Sequence, residues 1–325
     1  MPLAPSVMRF LIRQSAPTAT RIESLEPVAA RQNFEFNTQR SCMPLHQLDT
    51  IEDVSIETRD GATLNARIYY PEQPCWAKPA PALLFFHAGG YIFGSIKTAD
   101  WQCRMLAAKA QCAVVSVSYR LAPEYKFPYA VNDAQDALCW LHREAGSLAI
   151  DATRLAVGGE SSGATLAAVC AVHARDLGIP LALQMLIYPA LSASMDSETH
   201  RLYGKGYYLS FDTISWMQKN YLAHKSDYQD WRFAPLDGSK NAPTDWRNLA
   251  PTWIASAEFD PLSDEHASYT EKLRSHGNVV DLHVYEGMIH GFFSMGAIIP
   301  EAAVAHRDAA RVLRDALQTQ LEYAA

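Results

Sequence analysis

No stretch of the 325 residues is apolar for long enough to cross a bilayer. An apolar cluster near the amino terminus, Val7-Met8-Arg9-Phe10-Leu11-Ile12-Arg13, is short and interrupted by arginine, unlike an export signal. A basic excess is missing too: 28 Lys and Arg face 35 Asp and Glu, a formal net charge of −7, with no basic run. Such a chain has nothing to grip nucleic acid or an anionic membrane surface, so neither is expected as a partner. No internal repeat is visible. The six cysteines, Cys42, Cys75, Cys103, Cys112, Cys139 and Cys170, follow no metal-site spacing and no disulfide framework. Several sit in apolar segments, which reads as buried free thiols and a cytoplasmic location.

What remains is an ordinary globular composition, 49% hydrophobic and 19% charged, in a chain long enough to bury one large core. Positions 54–58 and 64–70 alternate around Asp60-Gly61, a hairpin signal. Short apolar runs follow at 83–86, 113–118, 155–157, 183–188, 252–257 and 279–285, too short for helices. Helical patterns lie between most of them, at 101–110, 130–144, 165–177 and 263–275, with a last one near 302–321. Residues before Leu48 read as helical and partly irregular, broken at Pro27 and Pro44. Strands alternating with helices predict an α/β fold, a mainly parallel sheet covered on both faces. Ligands bind such sheets beyond the carboxyl ends of the strands. One segment breaks the alternation. Residues 192–230 are too long for a crossover and carry Tyr203, Tyr207, Tyr208, Phe211 and Trp216, with a helix expected from Asp212, its cap, to about Ala223. Most of these aromatics are expected to pack that segment down; one or two face the site.

Gly159-Glu160-Ser161-Ser162-Gly163 stands between a strand reading and a helix reading. In that context a Gly-x-Ser-x-Gly run is a nucleophile elbow, a turn tight enough to need glycine on both sides of an exposed serine. Upstream, 83–86 ends in His87-Ala88-Gly89-Gly90-Tyr91, where glycines let backbone N–H groups face a substrate oxygen. Downstream, 252–257 is followed by Glu258-Phe259-Asp260-Pro261-Leu262, and 279–285 by Glu286-Gly287-Met288-Ile289-His290-Gly291-Phe292. The chain order serine, acid, histidine is that of α/β-hydrolases.

The sequence resembles the hormone-sensitive-lipase-like esterases, the bacterial group called family IV, from about Val54 to the last helix. His87-Ala88-Gly89-Gly90 is similar to that family's HGGG, and Tyr119-Arg120-Leu121-Ala122-Pro123-Glu124 matches its YRLAPE, with Phe127-Pro128 and Asp133 continuing the match. Gly159 to Gly163 is similar to GDSAG, Asp260 to Glu265 to DPLRDE, and His290-Gly291-Phe292 matches HGF. The resemblance implies an α/β-hydrolase fold with an eight-stranded, mostly parallel sheet and a helical cap. The core is expected at 46–191 and 233–325, the cap at 1–45 and 192–232. It implies Ser161, Asp260 and His290 as catalytic residues and the N–H groups of Gly89, Gly90 and Ser162 as the oxyanion hole. Ala88 and Glu160 depart from the pattern. Ala88 deletes no donor, since both following glycines are kept. Glu160 reads as a support for the loops around the nucleophile.

Each candidate has a rival. Ser161 at a helix start is also a plain N-cap position. Glu258 and Asp264 compete with Asp260, whose place in Asp-Pro-Leu favours it. His290 is one of eleven histidines, marked out by its Gly287-x-x-His290-Gly291 setting. His87 is expected to brace its loop, and Arg120 and Glu124 to pair across a turn. The reading is a serine carboxylesterase acting on small, short- to medium-chain acyl esters through an acyl-enzyme on Ser161. No metal or organic cofactor is signalled. An amidase with the same three residues is the alternative, separable by matched ester and anilide substrates. A non-catalytic binder would have lost one of them. A homodimer is left open.

Overall fold

The computed structural model describes residues 2–16, 18–72 and 79–319. Strands β1 (Ile51–Glu57) and β2 (Thr63–Tyr69) form the expected antiparallel hairpin around Asp60-Gly61. The apolar runs become β3 (Ala80–Phe86), β4 (Ala113–Ser118), β5 (Ile150–Glu160), β6 (Leu181–Ile187), β7 (Thr252–Phe259) and β8 (Val280–Ile289). They join in one eight-stranded sheet, ordered β1-β2-β4-β3-β5-β6-β7-β8. Pairing is antiparallel for β1–β2 and β2–β4 and parallel from β4 through β8.

Successive strand residues point to opposite faces, so the apolar runs feed two cores. Leu84, Phe86, Val115, Val117, Leu155 and Val157 pack on one face. Helices α4 (Tyr129–Glu144), α5 (Ser162–Leu177) and α8 (Ser263–Ser275) cover that side. Leu83, Phe85, Val114 and Ala156 pack on the other. That side is covered by α3 (Ile96–Ala110), α9 (Ala303–Thr319) and the amino-terminal α1 (Pro5–Gln14). Burial on both faces explains why these strands read as continuous apolar runs. The last helix is helical to Thr319; the rest of its expected span lies outside the described residues.

Helices α2 (Pro27–Ser41), α6 (Glu198–Tyr203) and α7 (Phe211–Tyr221), with α1, stand outside the strand–helix alternation. Pro27 opens α2 rather than breaking it, at a position where the missing N–H has no helical partner to lose. Helix α7 is capped by Ser210, not Asp212: the Ser210 hydroxyl accepts the Thr213 N–H at 3.1 Å. Asp212 lies inside the first turn, where its charge still favours the helix amino terminus.

The expected Arg120–Glu124 pair is not formed. The chain does turn here, with the Tyr125 N–H donating to the Leu121 carbonyl at 3.0 Å, but each side chain finds its partner in another segment. Arg120 turns to Asp133 and to Asp60, and Glu124 pairs with Arg31 of α2. The thiols of Cys103, Cys112 and Cys170 are free and buried, those of Cys42 and Cys139 free and half-buried. Cys75 lies outside the described residues. Among the described residues no helix is long and apolar enough to cross a membrane.

Candidate active site

Strand β5 ends at Glu160 and α5 begins at Ser162, so Ser161 is the whole of the turn between them. Its backbone is strained, with φ 55° and ψ −121°. The flanking glycines allow the close approach. A Cβ on Gly159 would lie 2.4 Å from the Gly163 carbonyl, and one on Gly163 only 2.1 Å from the Phe86 oxygen. Ser161 occupies the N-cap position of α5, yet its side chain caps nothing. Its Oγ lies instead 3.0 Å from Nε2 of His290.

His290 follows the end of β8, and its Nδ1 is 2.7 Å from Oδ2 of Asp260, just past β7. A carboxylate only accepts, so Nδ1 carries the proton and Nε2 presents its lone pair to the Ser161 hydroxyl. The other Asp260 oxygen accepts the Leu262 N–H at 2.9 Å, and Asp260 is fully buried. Burial works to raise its pKa. His290, first by charge and then by hydrogen bond, together with His266 and the Leu262 N–H, outweighs this and holds the carboxyl below its ordinary value. The rival acids point elsewhere: Glu258 accepts the Gly287 N–H, and Asp264 the Thr199 N–H.

Glu160 is buried behind the serine and gathers the surrounding loops. Gln102 of α3 and the Tyr188 hydroxyl both donate to it, and the Ser294 hydroxyl sits 2.6 and 2.7 Å from its two oxygens. Ser294 follows His290 by four residues, and the Tyr188 ring lies 4.6 Å from the His290 ring. One carboxylate thus links the serine turn, the histidine loop and α3. Neither Gln102 nor Ser294 carries a sequence signal for this, because both are far from Glu160 along the chain.

The loop after β3 bends sharply: the N–H groups of Ile92 and Phe93 both donate to the Gly89 carbonyl, at 3.0 and 3.1 Å. Gly89 and Gly90 have φ 138° and 58°. Ser162 is the first residue of α5, so its N–H has no partner within the helix. His87 braces the loop, as its sequence position suggests. Its Nδ1 bonds the Ala88 carbonyl at 2.9 Å, its ring stacks on Tyr119 at 4.2 Å, and the Tyr119 hydroxyl donates to the His87 carbonyl. Ala88 lines a recess of about 10 Å³, wide enough for one water, beside Glu160, Gln102 and Ser294.

Two side chains from segment 192–232 reach this centre. Met217 of α7 covers the loop, with Sδ 2.3 Å from where a Gly90 Cβ would stand. Tyr208 lies beside the histidine, its ring 3.1 Å from a Gly291 Cβ position and edge-on to Phe10 of α1. The other aromatics pack: Tyr203 and Tyr207 on Phe259, Phe211 on His200, and Trp216 against the core. Among the described residues no group of three or more His, Cys, Asp or Glu could hold a metal ion.

The family profile described as alpha/beta hydrolase fold matches residues 83–294. The chain belongs to this family, in its hormone-sensitive-lipase-like branch. It is a carboxylic ester hydrolase. It is 40% identical over 309 residues to an ethyl acetate hydrolase of Pseudomonas putida, covering 93% of this chain and 95% of the relative. It is 33% identical to the carboxylesterase NlhH of Mycobacterium tuberculosis, covering 96% and 95%. Among solved structures it is similar to the ester-hydrolase EH1AB1 from the metagenome of Lake Arreo, with TM-score 0.90, 32% identity and coverage of 96% and 98%. A hyperthermophilic esterase from Pyrobaculum calidifontis gives TM-score 0.87, 33% identity and coverage of 97% and 99%.

Proposed function

We propose that Ser161 is the nucleophile, His290 the general base and Asp260 the residue that orients it. The observation that carries this is the line of contacts from Ser161 Oγ through His290 to buried Asp260, at 3.0 and 2.7 Å. His290 takes the serine proton as Oγ attacks the ester carbonyl. The N–H groups of Gly89, Gly90 and Ser162 hold the developing oxyanion, each worth about 3–4 kcal/mol when well placed. Asp260 stabilises the imidazolium, which then protonates the leaving alcohol. Water attacks the acyl-enzyme by the same route in reverse. A fluorophosphonate should therefore modify Ser161; an adduct mapped by mass spectrometry to another residue overturns the assignment.

We assign residues 1–45 and 192–232 to a cap over this site and 46–191 with 233–325 to the core. The positions of Met217 over Gly90 and of Tyr208 against Gly291 support that division, as does the contact between Phe10 and Tyr208. The substrates are small esters with short to medium acyl chains, on the order of C2–C8, because each methylene gains about 0.8 kcal/mol only while the pocket has room. The ethyl acetate hydrolase among the relatives supports the same range. Met217→Ala is expected to shift the optimum in a nitrophenyl ester series by at least two carbons toward longer chains. An unchanged optimum removes Met217 as the wall. Free thiols at Cys103, Cys112 and Cys170 support a cytoplasmic setting. The terminal strand β8, flanked by exposed Val279 and carrying exposed Val284, is the surface we assign to a second copy of the chain. A monomer by light scattering at micromolar concentration rejects that pairing.

A further inference from the structure

Three consecutive residues of the loop after β3 have positive φ: Gly89 at 138°, Gly90 at 58° and Tyr91 at 66°. Tyr91 carries a side chain, so this conformation is costly and persists only where its surroundings impose it. The restraints can be traced. The Ala122 N–H donates to the Tyr91 carbonyl at 2.9 Å, and the Tyr91 ring stacks on Tyr221 at 3.9 Å. The remaining restraint comes from outside the sheet. Arg31 of α2 donates from Nε to the Ile92 carbonyl at 2.8 Å and from Nη2 to the Ala122 carbonyl, also at 2.8 Å. Its Nη1 meets Glu124 at 2.9 Å, which holds the guanidinium in plane. One turn further along α2, Phe34 packs on Phe93 at 4.5 Å between ring centres. A single planar cation therefore ties Ile92, next to Tyr91 in the chain, to Ala122, whose N–H holds the Tyr91 carbonyl.

We propose that Arg31 is a positioning residue for ester hydrolysis: it fixes the Gly89–Gly90 turn so that its N–H groups are aimed before substrate arrives. The inference goes beyond the nucleophile assignment and rests on the reading of Gly89 and Gly90 as oxyanion donors. Donors contribute most when they need no reorganisation during the reaction, and a displacement of about 1 Å can cost on the order of 10²-fold in rate. Helix α2 is on this account part of the catalytic scaffold as well as of the cover. Lysine cannot substitute, because one ammonium does not span three acceptors held by a planar fork.

The test is steady-state kinetics on a short nitrophenyl ester, with a melting curve for each variant. Arg31→Ala is expected to lower kcat by about 10–100-fold with KM changed by less than about threefold, since the lost interaction matters in the transition state. Arg31→Lys should stay within about threefold of Arg31→Ala. Low-millimolar guanidinium should restore part of the lost kcat in Arg31→Ala and have no such effect on the wild type. Glu124→Gln, which keeps both carbonyl bonds, should lose only a few-fold. Wild-type kcat in Arg31→Ala overturns the proposal, as does a loss confined to KM or full activity in Arg31→Lys. If Arg31→Ala does not fold, the kcat of Arg31→Lys decides alone. None of these outcomes touches the labelling of Ser161, so failure here is separable from failure of the nucleophile assignment.

Discussion

Ser161→Ala is expected to keep the fold and to lose at least ~10³-fold in kcat/KM, about 4 kcal/mol of transition-state stabilisation. The fold should survive because the Ser161 hydroxyl caps no helix and bonds His290, not the backbone of the turn. Alanine pays the same backbone strain at φ 55° as serine does. The start of α5 is set by Gly159 and Gly163, which the substitution leaves alone. What disappears is the oxygen that forms the acyl-enzyme. His290 and Asp260 remain and could at best direct a water, so any residual rate comes from the oxyanion donors and from binding. A short nitrophenyl ester, assayed with purified variant whose melting curve matches the wild type, gives the answer. Hydrolysis within tenfold of wild type would sink the acyl-enzyme mechanism.

The features legible in the sequence were those with a local cause. The strand–turn–helix around Ser161 shows because glycine is needed where the chain nearly touches itself, and the two-sided burial of β3 to β7 shows as apolar runs. Asp260 stands apart from Glu258 and Asp264 in the sequence by its position after the strand and its Asp-Pro-Leu match; in the structure Glu258 lies within β7 and Asp264 in the first turn of α8, and of the three it is Asp260 that bonds His290. Contacts between segments left no such trace. Arg31 and Ile92 are 61 residues apart, and Gln102 and Glu160 58. Met217 looks like any core methionine until α7 is laid over Gly90. The same holds for Arg120 and Glu124: the turn between them forms, but Arg120 pairs with Asp133 and Asp60 and Glu124 with Arg31, partners from other segments. Helix α6, six residues long, is too short to show a periodic pattern.

Stability is expected to fall steeply as pH drops below about 6.5, through three histidines that take no part in the chemistry. His87, His266 and His306 are buried, and burial lowers each pKa from 6.5 to about 4. Geometry agrees. Among the described residues His87 Nε2 has no partner, so a proton there would be an unpaired charge in the core. His266 is held as a neutral ring between the Ser256 hydroxyl and the Pro189 carbonyl, and His306 is wedged between Trp101 and Phe293 at 4.6 Å from each ring. As pH falls below 6.5 the unfolded chain takes up these protons and the folded chain does not, so each histidine withdraws stability down to pH about 4, at most about 3 kcal/mol per residue. His200, also lowered by burial, acts in the same sense. Glu265 acts against it: burial raises its pKa well above 4.5, so above that pH the folded chain holds a proton that the unfolded chain releases. One carboxyl offsets at most one histidine's proton, so a net loss on the order of a few kcal/mol remains across the window. Urea unfolding at pH 7.5 and at pH 5 measures it directly. The midpoint should drop by at least about 1 M, given slopes of about 1–3 kcal/mol per molar or somewhat more for a chain of this size. Replacing His306 by Gln, which can still donate to the Phe293 carbonyl, should flatten the pH dependence by about one proton's slope. Equal midpoints at the two pH values would mean that these rings are charged in the folded protein, and the packing described around them would have to be wrong.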